Sequence, residues 1–293
     1  MKNEDLWRDS LMFSRELMAV LPLMPEKFRQ SGQENTFDTK ERDERVGKYD
    51  VFVQGLLQEL FAKITPGVLV TSEEISATWP PPPTESEYWA IDPIDGTHDM
   101  ALGMPLYGTM GTFIQNNHVM FSFVYLPAET RMESSNRSTG FYFASRGNGA
   151  RLLCENPYFY PITSKLKVST QANLGKAMIL VEGSTRSMPY QNLALEIMKN
   201  HRTRNLGASC WSGTRVALGN ALPISVDALV ISGVKPFDSL PIAFLIEEAG
   251  GKVTDMHGQP YSPKNFKDLI MSNGILHDEL LSLAKKHVLV AGD

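Results

Sequence analysis

The sequence predicts a layered α/β fold in two parts. After about residue 160, strand-like apolar runs alternate with helical patterns, the order expected when helices pack on a sheet. Before it, two amphipathic helices accompany runs that read as antiparallel hairpins. The hydrophobic fraction of 42% over 293 residues is enough to bury the core that such layers require. The expected division is residues 1–160 and residues 161–293.

In chain order, Leu6, Phe13, Leu17 and Val20 recur at helical spacing and predict an N-terminal amphipathic helix. Residues 28–42 are polar and read as a mobile loop. A second helix is expected over 43–62, with Val53, Leu56, Leu57, Leu60 and Phe61 as its apolar face. Residues 67–70 read as a strand that ends at Glu73-Glu74. Pro80 to Pro83 form a stiff connection. Residues 88–91 read as a strand running into Asp92-Pro93-Ile94-Asp95-Gly96-Thr97. Strands over 109–115 and 118–125 meet at Asn116-Asn117, a tight turn because Asn tolerates positive φ. Phe141 begins another strand, and Gly147-Asn148-Gly149 reads as a turn. The second half reads as strand 178–181, helices 189–200 and 208–218, strand 226–231, helix 237–249, strand 269–271 and helix 276–287.

Composition narrows the function. The formal net charge is −5 with no long basic run, which argues against a nucleic-acid surface. No run of 18 apolar residues suggests a membrane span. The opening MKNEDLWRDS lacks a signal-peptide core. Cys154 and Cys210 are 56 positions apart with no Cys or His at zinc spacing, so a reducing, cytoplasmic setting is expected.

Acidic residues stand where chemistry is expected. Glu73 and Glu74 follow one expected strand, Asp92 and Asp95 end another, and Asp238 opens an expected helix. Strand ends and helix starts are where open α/β architectures place ligands. Oxygen donors suit Mg²⁺, and crowded carboxylates without a cation would raise one another's pKa. Pro93 fixes φ between the two aspartates, leaving the Ile94 carbonyl as a candidate ligand. Gly96 permits a tight turn, after which the Gly96 and Thr97 amides can face an anion.

Two segments carry a specific likeness. WAIDPIDGT resembles the first signature of the inositol monophosphatase-like family of metal-dependent phosphatases, with Glu73 of the upstream Glu-Glu pair nineteen positions before Asp92. KPFDSLPIAFLIEEAGGKVTD resembles the second signature, and RNLGASCWSGTRVALG the stretch before it. The resemblance extends over residues 67–275 and is patchy before that. It implies a layered α-β-α-β-α sandwich of the metal-dependent sugar-phosphatase type and two or three Mg²⁺ per site. Glu73, Asp92 and the Ile94 carbonyl are the implied ligands of one ion, and Asp92, Asp95 and Asp238 those of another. Glu73 and Thr97 are implied to orient the attacking water. Asp95, Gly96, Thr97, Ser209 and Lys235 are implied on the substrate side. A homodimer acting on a small phosphomonoester, with neither nucleic acid nor membrane as partner, follows from the same likeness.

The chain also departs from the family pattern. His98-Asp99-Met100 follows DGT, and Ile231 stands where inositol-specific members carry a Glu seven positions before the second-signature Asp. Residues 222–226 read as an extra stretch. Lys235-Pro236-Phe237-Asp238 and Met104-Pro105-Leu106-Tyr107-Gly108-Thr109 are closer to histidinol-phosphatase-like members. Pro241 requires a place in the first helical turn. Lys40 and Asp50 match the family's mobile Lys and its Asp before the second helix, with Gly47 replacing a usual Thr. Asn136-Arg137-Ser138 spells a glycosylation sequon only. The reading is a Mg²⁺-dependent phosphomonoesterase of the inositol-phosphate or histidinol-phosphate class. A catalytically weak regulatory member of the fold and a nucleotide or fructose bisphosphate phosphatase remain as alternatives.

Overall fold

The structure is a computed structural model that describes residues 3–34, 36–39, 45–74, 86–129, 140–156, 159–183 and 188–288. Lys40, the proline run 80–83 and the sequon at 136–138 lie outside the described residues.

Helix α1 (Asn3–Val20) is followed by a short α2 (Met24–Gln30) and a two-stranded ribbon, β1 (Phe37–Thr39) against β2 (Arg45–Gly47). Residues 28–42 were expected to be irregular. These elements are too short to show a hydrophobic period, so pairing rather than pattern defines them. Helix α3 (Lys48–Ile64) starts five residues later than the sequence suggests. Its start is set by extended Gly47, whose amide donates to the Asp50 carboxylate at 3.2 Å.

Next come β3 (Leu69–Ser72), β4 (Glu87–Asp95), the single-turn α4 (Thr97–Ala101), β5 (Gly108–Gln115), β6 (His118–Leu126), β7 (Gly140–Ser145), β8 (Gly149–Asn156) and β9 (Phe159–Lys165). The seven strands pair in chain order, β3 parallel to β4 and the rest antiparallel. Asn116 and Asn117, both at positive φ, make the expected turn between β5 and β6. Strand β9 carries this sheet to Lys165.

The remaining elements are β10 (Met178–Gly183), α5 (Met188–Asn200), β11 (Arg202–Arg204), α6 (Ser209–Leu218), β12 (Ala228–Ser232), α7 (Pro236–Glu248), β13 (Lys252–Asp255), β14 (Leu269–Ser272) and α8 (His277–Val288). The second sheet has the order β11-β10-β12-β14-β13, with β10 parallel to β11 and β12.

Side-chain alternation along the strands builds five layers. On β4, Trp89 and Ile91 join Phe13 and Leu17 of α1 and Leu57 and Phe61 of α3 in one core. Tyr88 and Ala90 face the other way, into a core with α6 and α7. Trp89 stacks on Phe61 at 4.3 Å and donates its indole N–H to Thr65. In the second sheet Leu180, Leu229, Ile231 and Met271 join that middle core. Ile179, Val181, Val230 and Ile270 pack outward on Tyr190, Leu193 and Ile197 of α5 and Leu280 and Ala284 of α8. The order is helices, sheet, helices, sheet, helices, the α-β-α-β-α sandwich.

Helix α7 lies between the sheets and is buried on every side from Ser239 to Ile246, as a middle-layer helix must be. It packs closely on α6: a Cβ at Gly213 would fall 2.3 Å from the Ile242 Cβ. Pro241 is the sixth residue of α7 and lies beyond the first turn, contrary to the sequence expectation. The burial of the surrounding helix on both sides keeps it continuous through the proline, at the cost of the hydrogen bond Pro241 forfeits. No helix among the described residues is long and apolar enough to cross a membrane.

Candidate metal centre

The site forms where β3 and β4 end and α7 begins. Glu73 follows β3 directly, its amide donating to the Ile91 carbonyl at 3.3 Å. The register of β4 against β5 shifts between Asp92 and Asp95, where Pro93 and Ile94 interrupt regular pairing. This break lets Asp92 and Asp95, three apart and on opposite faces of a regular strand, both face Glu73. The Pro93 carbonyl accepts from the Thr109 hydroxyl at 2.9 Å, and the Ile94 amide donates to Asp92 at 3.0 Å. Asp238, the third residue of α7, accepts the Lys235 amide at 2.9 Å.

Carboxylate oxygens of Glu73, Asp92 and Asp238 lie within 4.8 Å of one another. Asp95 sits beside them, its charge acting on Asp92 and Asp238. It also closes the start of α6, accepting the Cys210 amide at 2.7 Å and the Ser209 amide. Ala208, the residue before that helix, offers no side-chain cap, so Asp95 supplies one from across the fold.

Burial dominates the electrostatics. It pushes the Asp92 carboxyl well up, with the charges of Glu73, Asp95 and Asp238 adding to it. Asp238 is raised by burial and by Glu73 and Asp95, against the opposing pull of the Lys235 amide and ammonium. Burial raises Asp95 to about 6 although the Cys210 and Ser209 amides hold it down. Carboxylates that repel one another in a sheltered place form a hard oxygen donor set. That set fits a divalent cation of the Mg²⁺ kind and offers no nitrogen or thiolate ligand for a softer one. The Cys210 thiol is fully buried and pushed well above its usual value by burial and by Asp95, which makes it inert.

The turn beyond Asp95 has the geometry its sequence calls for. Gly96 has φ of +83°, and a Cβ there would strike the Leu106 carbonyl at 2.4 Å. Thr97 opens α4, and its hydroxyl lies 2.7 Å from Asp50 and 2.8 Å from the Ile94 carbonyl, donating between them. Asp50 is raised to about 6 by burial, with the Thr97 bond opposing the shift and the Glu74 charge adding to it. Sequence reasoning placed Asp50 only by likeness, since nothing local ties it to a residue 47 positions away. Lys235 reaches Glu73, Nζ to Oε1, at 3.0 Å. His98 is exposed, whereas Asp99 is buried against Gly207. Ile231 is wholly buried in the middle core.

One residue escaped sequence reasoning. Glu182, at the end of β10, accepts the Leu206 amide at 2.7 Å, the Gly207 amide at 3.1 Å and the Ser212 hydroxyl at 2.6 Å. It fixes the turn that delivers Ser209 to Asp95. Its signal was an acid at the end of an apolar strand, the pattern that singled out Glu73.

Known proteins resemble this chain in sequence and fold. The chain matches the inositol monophosphatase family over residues 14–289. It is 27% identical over 275 residues to the fructose-1,6-bisphosphatase/inositol-1-monophosphatase of Aquifex aeolicus, covering 92% of each chain. Inositol monophosphatase 1 of Mus musculus is 29% identical over 210 residues, covering 69% of this chain and 65% of its own. A solved IMPase/NADP phosphatase complexed with Mg²⁺ and phosphate superimposes with a TM-score of 0.74 at 22% identity, over 93% of this chain and 95% of that one. A Thermotoga maritima IMPase superimposes with a TM-score of 0.70 at 23% identity over the whole of both chains. With that span of similarity and this fold, the chain belongs to the inositol monophosphatase family and is a phosphatase, a hydrolase of phosphoric monoesters.

Proposed function

We propose that this phosphatase uses Mg²⁺, two or three ions per site, to hydrolyse a small phosphomonoester. The observation that carries the reading is the convergence of Glu73, Asp92 and Asp238 within 4.8 Å, with Asp95 beside them. Glu73, Asp92, Asp95, Asp238 and the Ile94 carbonyl would hold the ions. Bound Mg²⁺ supplies Lewis acidity, lowering the pKa of a water and offsetting charge on the phosphoryl oxygens. The protein's own task is placement. Asp50 holds the Thr97 hydroxyl, and Thr97 with Glu73 orients the water. The Gly96 and Thr97 amides, at the start of α4, face the phosphate, and Asp95 and Ser209 line its approach.

Ile231 bears on the substrate. A buried isoleucine cannot hydrogen-bond a polyol, and sites that read hydroxyls depend on such partners. This favours an acceptor less hydroxylated than inositol, of the histidinol-phosphate class. The Aquifex aeolicus relative, named fructose-1,6-bisphosphatase/inositol-1-monophosphatase and matched over 92% of each chain, favours a sugar bisphosphate as the second reading. A cytoplasmic homodimer belongs to the same proposal, supported by the buried free thiol of Cys210 and the family likeness. Phosphate release with Mg²⁺ from histidinol phosphate, inositol 1-phosphate, fructose 1,6-bisphosphate and nucleotide 3′-phosphates tests it. Release highest from histidinol phosphate supports the first reading, and release from none of them removes it.

A further inference from the structure

A cation of the chain's own already stands among the carboxylates. Lys235 precedes α7 and is held extended, φ −84° and ψ 162°, by Pro236 after it. Its amide serves Asp238 at 2.9 Å while its ammonium reaches Glu73 at 3.0 Å. One residue therefore engages two of the three converging carboxylates, one by backbone and one by side chain. The Lys235 side chain is 40% exposed, so it can swing into solvent without opening the core. The Glu73 side chain is 20% exposed, whereas Asp92 and Asp95 are buried, so Glu73 is open to an incoming cation.

We infer that Lys235 is a built-in counter-ion that competes with divalent metal for Glu73. This rests on reading the carboxylates as metal ligands. Without metal, the ammonium offsets one of several charges forced together by the fold. When a divalent cation arrives at Glu73, the ammonium must leave or share the carboxylate, and either outcome opposes binding. Lys235 thereby sets metal affinity below what the carboxylates alone would give.

Isothermal titration of Mg²⁺ and Mn²⁺ into metal-stripped protein, without substrate, tests this. Lys235→Met should bind metal about two- to fivefold more tightly, the range of a partly exposed ion pair, and Lys235→Arg should stay near wild type. Raising the salt concentration should narrow the difference. Equal or weaker binding by Lys235→Met overturns the inference. So does weaker binding of inorganic phosphate with metal affinity unchanged, which would give Lys235 to the substrate. The wild-type protein supplies a second readout. Acetylation of Lys235 followed by peptide mass should speed up when Mg²⁺ is added, because the ammonium is released from Glu73, and an unchanged rate contradicts release. Wild-type protein that binds no divalent cation would instead defeat the metal reading itself.

Discussion

At Asp95 two duties meet in one side chain. Its carboxylate stands beside the Glu73, Asp92 and Asp238 carboxylates and also receives the amides that start α6. Asp95→Asn keeps an oxygen for those amides and removes the charge. Turnover should fall about 100-fold or more while circular dichroism remains native. A variant within a few-fold of wild type would remove Asp95 from the chemistry. Thr97→Ala should lower kcat by about 100-fold with little change in metal affinity. Asp50→Asn should follow in the same direction by less, since Asp50 acts through the Thr97 hydroxyl. Equal metal binding by wild type, Thr97→Ala and Asp50→Asn, measured calorimetrically, would separate water orientation from ligation. At this scale the acidic residues that gather at the site were legible because Asp92, Asp95 and Asp238 lie inside short local patterns. Asp50 and Glu182 were not, because their roles depend on partners 47 and 24 or more positions away that only the fold brings close.

Helix α7 joins the site to the core. Lys235 stands just before it, its first turn carries Asp238, and the rest of it fills the space between two sheets. Pro241 interrupts its hydrogen bonding. Replacing it with Ala restores about 3 kcal/mol of helix preference and removes about two buried methylenes, worth roughly 1.6 kcal/mol. Pro241→Ala should therefore stabilise the protein by about 1 kcal/mol in urea unfolding. A loss of stability would show that the ring's packing dominates. The long helices and the β5–β6 hairpin were legible from their periods and from the Asn-Asn turn. Strands β8, β9, β11 and β13 were not. The three residues of β11 are too few for a period to show, and β13 is a four-residue strand at the sheet edge. In β8 and β9 polar residues such as Arg151, Asn156, Thr163 and Ser164 break the alternation, so the sheet extends further than its pattern.

Across the whole molecule, the five layers bring a strand end from the first sheet and a helix start from the middle layer to one place, at an electrostatic cost. For Asp92, Asp95 and Asp238 the folded pKa is raised, so the folded metal-free protein holds protons more tightly than the unfolded chain. Their contribution favours folding below the ordinary carboxylate value of 3.8 and is lost as pH rises through it toward the folded value, about 6 for Asp95. A divalent cation removes the repulsion that remains. The rise in Tm on adding Mg²⁺ should therefore be larger at pH 7.5 than at pH 5. Without metal at pH 7.5, Asp92→Asn should melt higher than wild type, as expected of a site strained for function. An Mg²⁺ effect independent of pH would contradict this linkage.

On the function proposed above, Glu73, Asp92, Asp95 and Asp238 hold Mg²⁺ for phosphoryl hydrolysis. Phosphate release from the best substrate of the panel, followed for wild type and Asp92→Asn with Mg²⁺ and after chelation, tests it most directly. Wild type should release phosphate, stop on chelation and resume with Mg²⁺, and Asp92→Asn should release at least ~1,000-fold less at any Mg²⁺ concentration. Release that survives chelation, or an Asp92→Asn variant within tenfold of wild type, would contradict it.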